Sequence, residues 1–426
     1  MVDYDKSIDA LTKAINNATV FLEKLANNKT AATDDSQFSL ASIAKNLDPE
    51  HTHSLENILA NSPISELLKD NSVSDILING PFEIYVDQHG TLFKTDFKFQ
   101  DHEELLKLAD AIATSLNRKI DPRRPLMDAR LPDGSRVNII APPMAVDGLS
   151  ISIRKFSAQN ITLDTLEEYE SITPMMKEFL KACAICKVNI IISGGTGSGK
   201  TTLLNAMSQY IPANERIVSI EDSIELRLQQ PHVVRLETKN PEVMGDRTRE
   251  VNIRDLLVNS LRMRPDRIII GEVRGGEAYD MIQSMNTGHD GSFATVHANN
   301  PREAIARIES MVSQVSTNTP LIVIRKQVTS AVNFIIQVNR QENGKRQVTF
   351  ISEITGLEGD TPTIHDIFFL KQQGVDDKGK LIMKQGWSGA PPKHAKLAAY
   401  IRNLNILKHD IEKTPFPNAL PNQKNW

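Results

Sequence analysis

Residues 194–201, Gly-Gly-Thr-Gly-Ser-Gly-Lys-Thr, fit the pattern G-x-x-x-x-G-K-[ST], a spacing suited to gripping a polyphosphate. Gly194, Gly195, Gly197 and Gly199 let the backbone curl until successive N–H groups, those of Thr196 and Ser198 among them, point inward at phosphate oxygens. The start of a following helix adds partial positive charge. Lys200 then reaches the β- and γ-phosphates, and Thr201 offers its hydroxyl to Mg²⁺, with Thr202 beside it in the first turn. A Gly-rich turn without a ligand is the bland alternative. The context opposes it, because the apolar run NIIIS (189–193) reads as a buried strand just before the loop, and Leu203, Leu204, Met207 and Ile211 repeat at helical spacing just after it.

Binding phosphate is not hydrolysis. Transfer to water needs a carboxylate that polarises the attacking water, and positive charge where the transition state is negative. Two apolar runs end on such acids: RIVSI (216–220) leads into Glu221-Asp222, and RIIIG (267–271) leads into Glu272. Ligands of open α/β sheets gather at the carboxyl ends of strands, so Glu221 and Glu272 are expected to face the loop, although acids at strand ends also serve as caps of the next helix. His297 directly follows the run FATV (293–296), which makes it either a sensor of the γ-phosphate or a structural histidine. Seven arginines lie between Asp246 and Arg274: Arg247, Arg249, Arg254, Arg262, Arg264, Arg267 and Arg274. Most of them read as a solvated, ion-paired face, with a remainder free to contact phosphate or another subunit. Cys183 and Cys186 form a C-x-x-C, but no second pair exists and both lie on an amphipathic helical stretch, so core packing is the reading.

These residues need a scaffold, and the alternation of strand and helix from 173 onward predicts a parallel-rich α/β sheet. Before it, hairpin-linked strands (ILING, FEIYV and TLFKTDFKF, then ARLPDGSRVNII and GLSISIRKF) with a helix through Leu105, Leu108, Ala109 and Ile112 predict a small α+β domain. The expected division is a helical appendage and linker over 1–69, the α+β domain over 70–156, a polar linker over 157–172, the P-loop domain over 173–409 and a disordered tail over 410–426.

Composition narrows the function classes. The 426 residues hold 49 Lys+Arg against 53 Asp+Glu, a net charge of −4, which argues against a protein that coats nucleic acid. No run approaches the length of a transmembrane helix and the N-terminus lacks the layout of a signal peptide, so the cytoplasm is the expected location.

GGTGSGKT, SIEDSIEL, LRMRPDRIIIGEVRGGEA and TGHDGSFATVHANNP, in this order, make the chain resemble the secretion-superfamily ATPases, and within them the CpaF/TadA branch, motors of Tad (Flp) pilus assembly. The resemblance extends through DILINGP, MDARLPDGSRVN and LSISIRKF to about residue 400. It implies a RecA-like motor domain preceded by a PAS-like domain, ATP and Mg²⁺ as cofactors, a homo-hexamer peripheral at the inner membrane, and pilus or secretion platform proteins as partners, with no direct nucleic acid. It also implies roles: Lys200 and Thr201 for phosphate and Mg²⁺, Glu221 for Mg²⁺ or water, Glu272 for the attacking water, and His297 in the family's His box. Arg136 and Arg154 are expected to approach the phosphates on closure, and Arg235 and Arg267 to make contacts across subunits. Two cysteines cannot build the four-cysteine zinc module usual in type II secretion ATPases, which disfavours that branch. The absence of an AIRNL-like stretch of the retraction motors is taken to favour assembly over retraction. Type IV secretion ATPases are the runner-up, with a RecA-like nucleic-acid motor ranked behind them because parallel-sheet P-loop cores serve both uses.

Overall fold

The computed structural model describes residues 55–407 except 56, 89–90, 117, 157–160, 239–249, 342–343, 376–380 and 405. Of the helical appendage and linker expected over 1–69, residues 1–54 lie outside the described residues, as do the tail beyond 409, Arg247 and Arg249; Leu55, Ile64 and Leu67 are buried in the core of the first domain rather than in a separate appendage.

The first domain is a six-stranded antiparallel sheet in the order β3-β2-β1-β6-β5-β4, with α1 (Ser65–Lys69) ahead of it. Its strands are β1 (Val73–Asn79), β2 (Ile84–Gln88), β3 (Thr91–Lys94), β4 (Leu126–Arg130), β5 (Arg136–Ile140) and β6 (Ser150–Arg154). First and last strands lie side by side at the centre, the PAS-like arrangement. Helix α2 (His102–Ser115) covers the sheet: Asp101 caps it by accepting from the Glu104 N–H, and Leu105, Leu108, Ala109 and Ile112 are buried as their spacing predicts. The β4–β5 turn contains Gly134 at φ +92°, where a Cβ would stand 2.8 Å from the Phe156 ring.

The second domain is a nine-stranded sheet in the order β15-β14-β13-β12-β7-β11-β10-β8-β9. The strands from β12 to β9 run parallel: β7 (Ile190–Ser193), β8 (Ile217–Glu221), β9 (Val233–Glu237), β10 (Arg267–Val273), β11 (Phe293–Val296) and β12 (Phe334–Arg340). Every residue of β7, β8 and β11 is buried, because helices cover both faces. Ile190 and Ile192 join the core with α3 (Leu163–Glu168), α4 (Pro174–Ile185) and α5 (Lys200–Ser208). Ile191 joins the opposite core with α6 (Ile253–Ser260), α7 (Glu277–Asn286), α8 (Pro301–Val315) and α9 (Leu321–Ala331). Parallel pairing places the carboxyl ends of β7, β8, β10 and β11 along one edge, and that edge carries the P-loop, Glu221, Glu272 and His297.

Three features differ from expectation. Leu163 and Leu166 of α3 are buried in the second core, so part of the segment read as a linker is packed structure. Beyond β12 the sheet continues through an antiparallel meander, β13 (Arg346–Glu358), β14 (Thr361–Val375) and β15 (Leu381–Trp387), which the strand–helix pattern did not anticipate. The last helix, α10 (Ala395–Leu404), ends on Tyr400-Ile401-Arg402-Asn403-Leu404, which matches AIRNL at four of five positions. The distinction from retraction motors drawn on that stretch is therefore withdrawn.

Candidate functional site

The P-loop joins β7 to α5, and its glycines are dictated by space and backbone. A Cβ on Gly194 would lie 2.2 Å from the Val338 carbonyl oxygen, while Gly197 and Gly199 hold φ of +67° and +101°. Lys200 is the first residue of α5, and its Nζ donates to the carbonyls of Gly194 (3.1 Å) and Gly195 (2.8 Å). Burial pushes its pKa down. Ser198 Oγ is buried without a hydrogen-bond partner among the described residues, an atom that a phosphate would satisfy.

Next to Lys200 stands a chain of polar groups. His297 Nε2 lies 3.5 Å from Lys200 Nζ and 2.8 Å from Glu272 Oε1. Burial, then the charge of Lys200, hold the imidazole below its ordinary pKa. Burial acts to raise the Glu272 carboxyl, but Arg274, His297 and Lys200 outweigh it and the group sits below its usual value. An ionised Glu272 facing a neutral imidazole takes the Nε2 proton as its hydrogen bond. Arg274 completes the set, donating from NH2 to Glu272 Oε2 at 2.7 Å and lying 3.5 Å from Asp222.

Glu221 differs in kind. It is 3% exposed, its Oε2 accepts from the N–H groups of Glu225 (2.7 Å) and Leu226 (3.0 Å), and its Oε1 has no partner among the described residues. Burial lifts its carboxyl to about 7. The residue facing it explains Gly271, where many P-loop enzymes place an aspartate: a Cβ there would lie 2.9 Å from Glu221 Cγ. With Thr201, the free carboxylate oxygen fits a Mg²⁺ that arrives with its nucleotide. Among the described residues no cluster of three or more His, Cys, Asp or Glu would hold a metal alone.

A cleft of about 400 Å³ separates the two domains, with the P-loop on one wall. Arg136 and Arg154 line the other wall, each held by an acid: Arg136 NH1 lies 3.1 Å from Glu225 Oε1 and Arg154 Nε 3.0 Å from Asp75 Oδ1. The sequence reading missed four further contributors. Phe156 carries the Arg227 guanidinium over its ring at 3.8 Å, and Arg340 and Arg346 come from the β12–β13 hairpin, with Arg346 Nε donating to the Gly197 carbonyl at 2.9 Å. A basic cluster of Arg340, Lys345 and Arg346 within seven residues was the available signal.

Two expected residues do not join the site. Arg267 begins β10, at the end opposite Glu272, and is wholly buried, with Nε donating to Glu215 Oε2 at 2.5 Å. Its reading as a contact across subunits is corrected, since an enclosed guanidinium meets no neighbour. Arg235 is exposed on the edge strand β9 and outside the cleft. Arg254 pairs with Asp280 at 2.7 Å, the ion-paired face expected for most of the cluster. His289 Nδ1 lies 3.3 Å from the Ser284 carbonyl oxygen, a local structural contact. Cys183 and Cys186 are both buried free thiols, and packing accounts for them.

Residues 58–375 match the family described as Type II/IV secretion system protein. The chain belongs to this family. Among curated members, it is 34% identical over 325 residues to the type IV secretion system protein VirB11 of Bartonella quintana, covering 68% of this chain and 90% of that one. It is 33% identical over 302 residues to a putative conjugal transfer protein of Mycobacterium tuberculosis, covering 70% and 85%. In fold it is similar to the ATPase DotB of Legionella pneumophila (TM-score 0.50, 22% identity, 77% of this chain and 84% of that one). The DotB ATPase of Yersinia pseudotuberculosis has a TM-score of 0.51 at 20% identity over 76% and 81%. The fold of this type II/IV secretion protein is thus a RecA-like motor domain with a small α+β domain in front.

Proposed function

We propose that the protein is a Mg²⁺-dependent ATPase that works as a homo-hexameric ring at the cytoplasmic face of the inner membrane and powers assembly of a Tad (Flp) type pilus. The observation that carries the enzymatic part is the line from P-loop Lys200 through His297 to Glu272, beside a Glu221 carboxyl with one oxygen unpartnered among the described residues. The P-loop N–H groups and Lys200 bind the phosphates, and Thr201 and Glu221 would hold Mg²⁺, which would supply positive charge to offset that of the phosphates. Glu272, kept ionised by Arg274, orients the attacking water and accepts its proton, while His297 fixes the Glu272 oxygen that faces the loop. Arg136 and Arg154 leave Glu225 and Asp75 for the phosphates as the cleft closes, and opening returns them. That exchange converts the nucleotide state into domain motion, which the ring passes to platform proteins in the membrane. Arg235, exposed at a sheet edge, is available to a neighbouring subunit.

Purified protein should hydrolyse ATP only with Mg²⁺, and Glu272→Gln should lower kcat by about 100-fold or more. No Mg²⁺-dependent hydrolysis, or a parental rate in the variant, overturns the enzymatic reading. A second reading, traffic in a type IV secretion system, is favoured by the VirB11 relatives, of which the match spans 90% in Bartonella quintana. A deletion strain complemented with the parental gene or with Lys200→Ala separates them. Loss of pili with intact secretion supports the first reading, and the converse supports the second.

A further inference from the structure

We propose that Arg130 is a positioning residue that couples the first domain to Glu221: it holds the segment 223–226 whose backbone N–H groups aim the Glu221 carboxylate at the nucleotide-bound cation. The inference rests on the reading of Glu221 as part of the Mg²⁺–nucleotide site and adds the residue that sets its geometry. Glu221 closes β8 with Oε2 engaged by the Glu225 and Leu226 N–H groups and Oε1 buried without a partner among the described residues. The direction of the free oxygen therefore depends on where those two N–H groups lie. They belong to a stretch between β8 and β9 with no regular structure, whose position must be fixed by side chains.

One end is anchored within the motor, where Leu226 is fully buried and the Arg227 N–H donates to Asn205 Oδ1 at 2.9 Å. The other end is held from the first domain. Arg130 NH2 donates to Ser223 Oγ at 2.6 Å and lies 3.2 Å from Glu237 Oε1. That same Glu237 oxygen accepts from the Ile224 N–H at 3.4 Å, so one guanidinium ties Ser223, Glu237 and, through it, Ile224. Arg130 and Arg136 are directly opposite in the β4–β5 ladder, which puts both side chains on one face and explains how a single rung grips Ser223 and Glu225 together. They then part in role. Arg136 lines the cleft and is free to exchange Glu225 for phosphate, whereas Arg130 does not line it and retains the loop throughout.

The pair with Glu237 is partly exposed, with 27% and 40% of the two side chains accessible, so its loss is compatible with folding. The test measures binding of a non-hydrolysable ATP analogue to the full chain with and without Mg²⁺, in the parental protein and in Arg130→Ala, Arg130→Lys, Ser223→Ala, their double alanine variant and Glu221→Gln. Arg130→Ala is expected to leave Mg²⁺-free affinity within about two-fold and to cut the gain from Mg²⁺ by about five-fold, a loss of about 1 kcal/mol. Arg130→Lys should keep most of that gain. Ser223→Ala should lose part of it, and the double variant should be no worse than Arg130→Ala, because both act on one segment. Equal weakening with and without Mg²⁺ makes Arg130 a direct phosphate contact or a general structural residue and overturns the proposal. So does an unchanged Mg²⁺ gain in Arg130→Ala when Glu221→Gln abolishes it, and in that case the Glu221 reading stands. A gain untouched by Glu221→Gln removes that reading and the proposal with it.

Discussion

Gly271→Ala probes the packing of the site most directly. A Cβ at 271 would stand 2.9 Å from Glu221 Cγ and 3.4 Å from its Cβ, and contact below 3.0 Å forces a shift. The glutamate cannot move freely, because it is buried and its Oε2 is fastened by two N–H groups. If the side chain keeps those bonds, it absorbs overpacking of about 1–3 kcal/mol. If it swings away, it gives up a hydrogen bond to a charged acceptor, about 1.5–3 kcal/mol. Both routes come to about 2 kcal/mol, or a fall in Tm of about 4–8 °C for a motor domain of this size. A carboxylate displaced by about 1 Å should also cost on the order of 100-fold in kcat. Thermal melting and a coupled ATPase assay measure the two effects. Gly195→Ala is the control, since nothing lies within 4 Å of its Cβ position, and its Tm should match the parent. A Gly271→Ala protein with parental Tm and kcat would show that Glu221 shifts at no cost, and the account of Gly271 would fail.

Other substitutions probe separate parts of the molecule. Burial lifts Glu221 from 4.5 to about 7, so the fold favours its protonated form. The associated stability is fully present below the unfolded-state value and is lost as pH rises through about 7, a change of about 3 kcal/mol. In melts without Mg²⁺, Glu221→Gln should flatten that decline between about pH 5 and 8, and a parental slope in the variant would place the titration elsewhere. Arg267→Met leaves the buried Glu215 with Lys187 at 3.6 Å as its remaining ion-pair partner among the described residues, and breaking a buried pair costs about 3–5 kcal/mol, so the variant should melt early. Parental Tm combined with loss of subunit association would restore Arg267 as an interface residue. Arg154→Ala should weaken ATP binding by about 10- to 100-fold, the worth of one hydrogen bond to a charged group, with little change in Tm, because the side chain is 60% exposed. An unchanged Kd would remove Arg154 from the phosphates.

The strands that position the chemistry were legible because a parallel sheet covered on both faces writes itself as short uninterrupted apolar runs, IIIS, IVSIE and FATV, each ending at a functional residue or its neighbour. Strand β9 was missed since VVRLE, on the sheet edge, is only half buried and carries no such run. The meander β13–β15 was hidden for a related reason: it adds to the sheet beyond the P-loop core, and its long strands mix polar and apolar residues. At the site, side chains next to the motif in sequence or at strand ends were recoverable. Arg340, Arg346 and Phe156 were not, because loops and hairpins far along the chain deliver them, and no local pattern encodes that meeting. Arg267 misled for the opposite reason, an arginine whose partner, Glu215, is 52 residues away.

The cleft crowds Arg136, Arg154, Lys200, Arg340 and Arg346 around one small volume, yet Asp75 and Glu225 stand among them. These acids act as built-in counter-ions. They neutralise the guanidinium groups while the cleft is empty, a task that dissolved salt would otherwise perform. On the proposed exchange, an incoming polyphosphate would displace carboxylates that remain tethered to the protein rather than ions that escape into solution. Nucleotide affinity should consequently respond to ionic strength less steeply than the number of cationic side chains would imply. The released acids would also stay within reach, ready to reclaim their arginines when phosphate leaves.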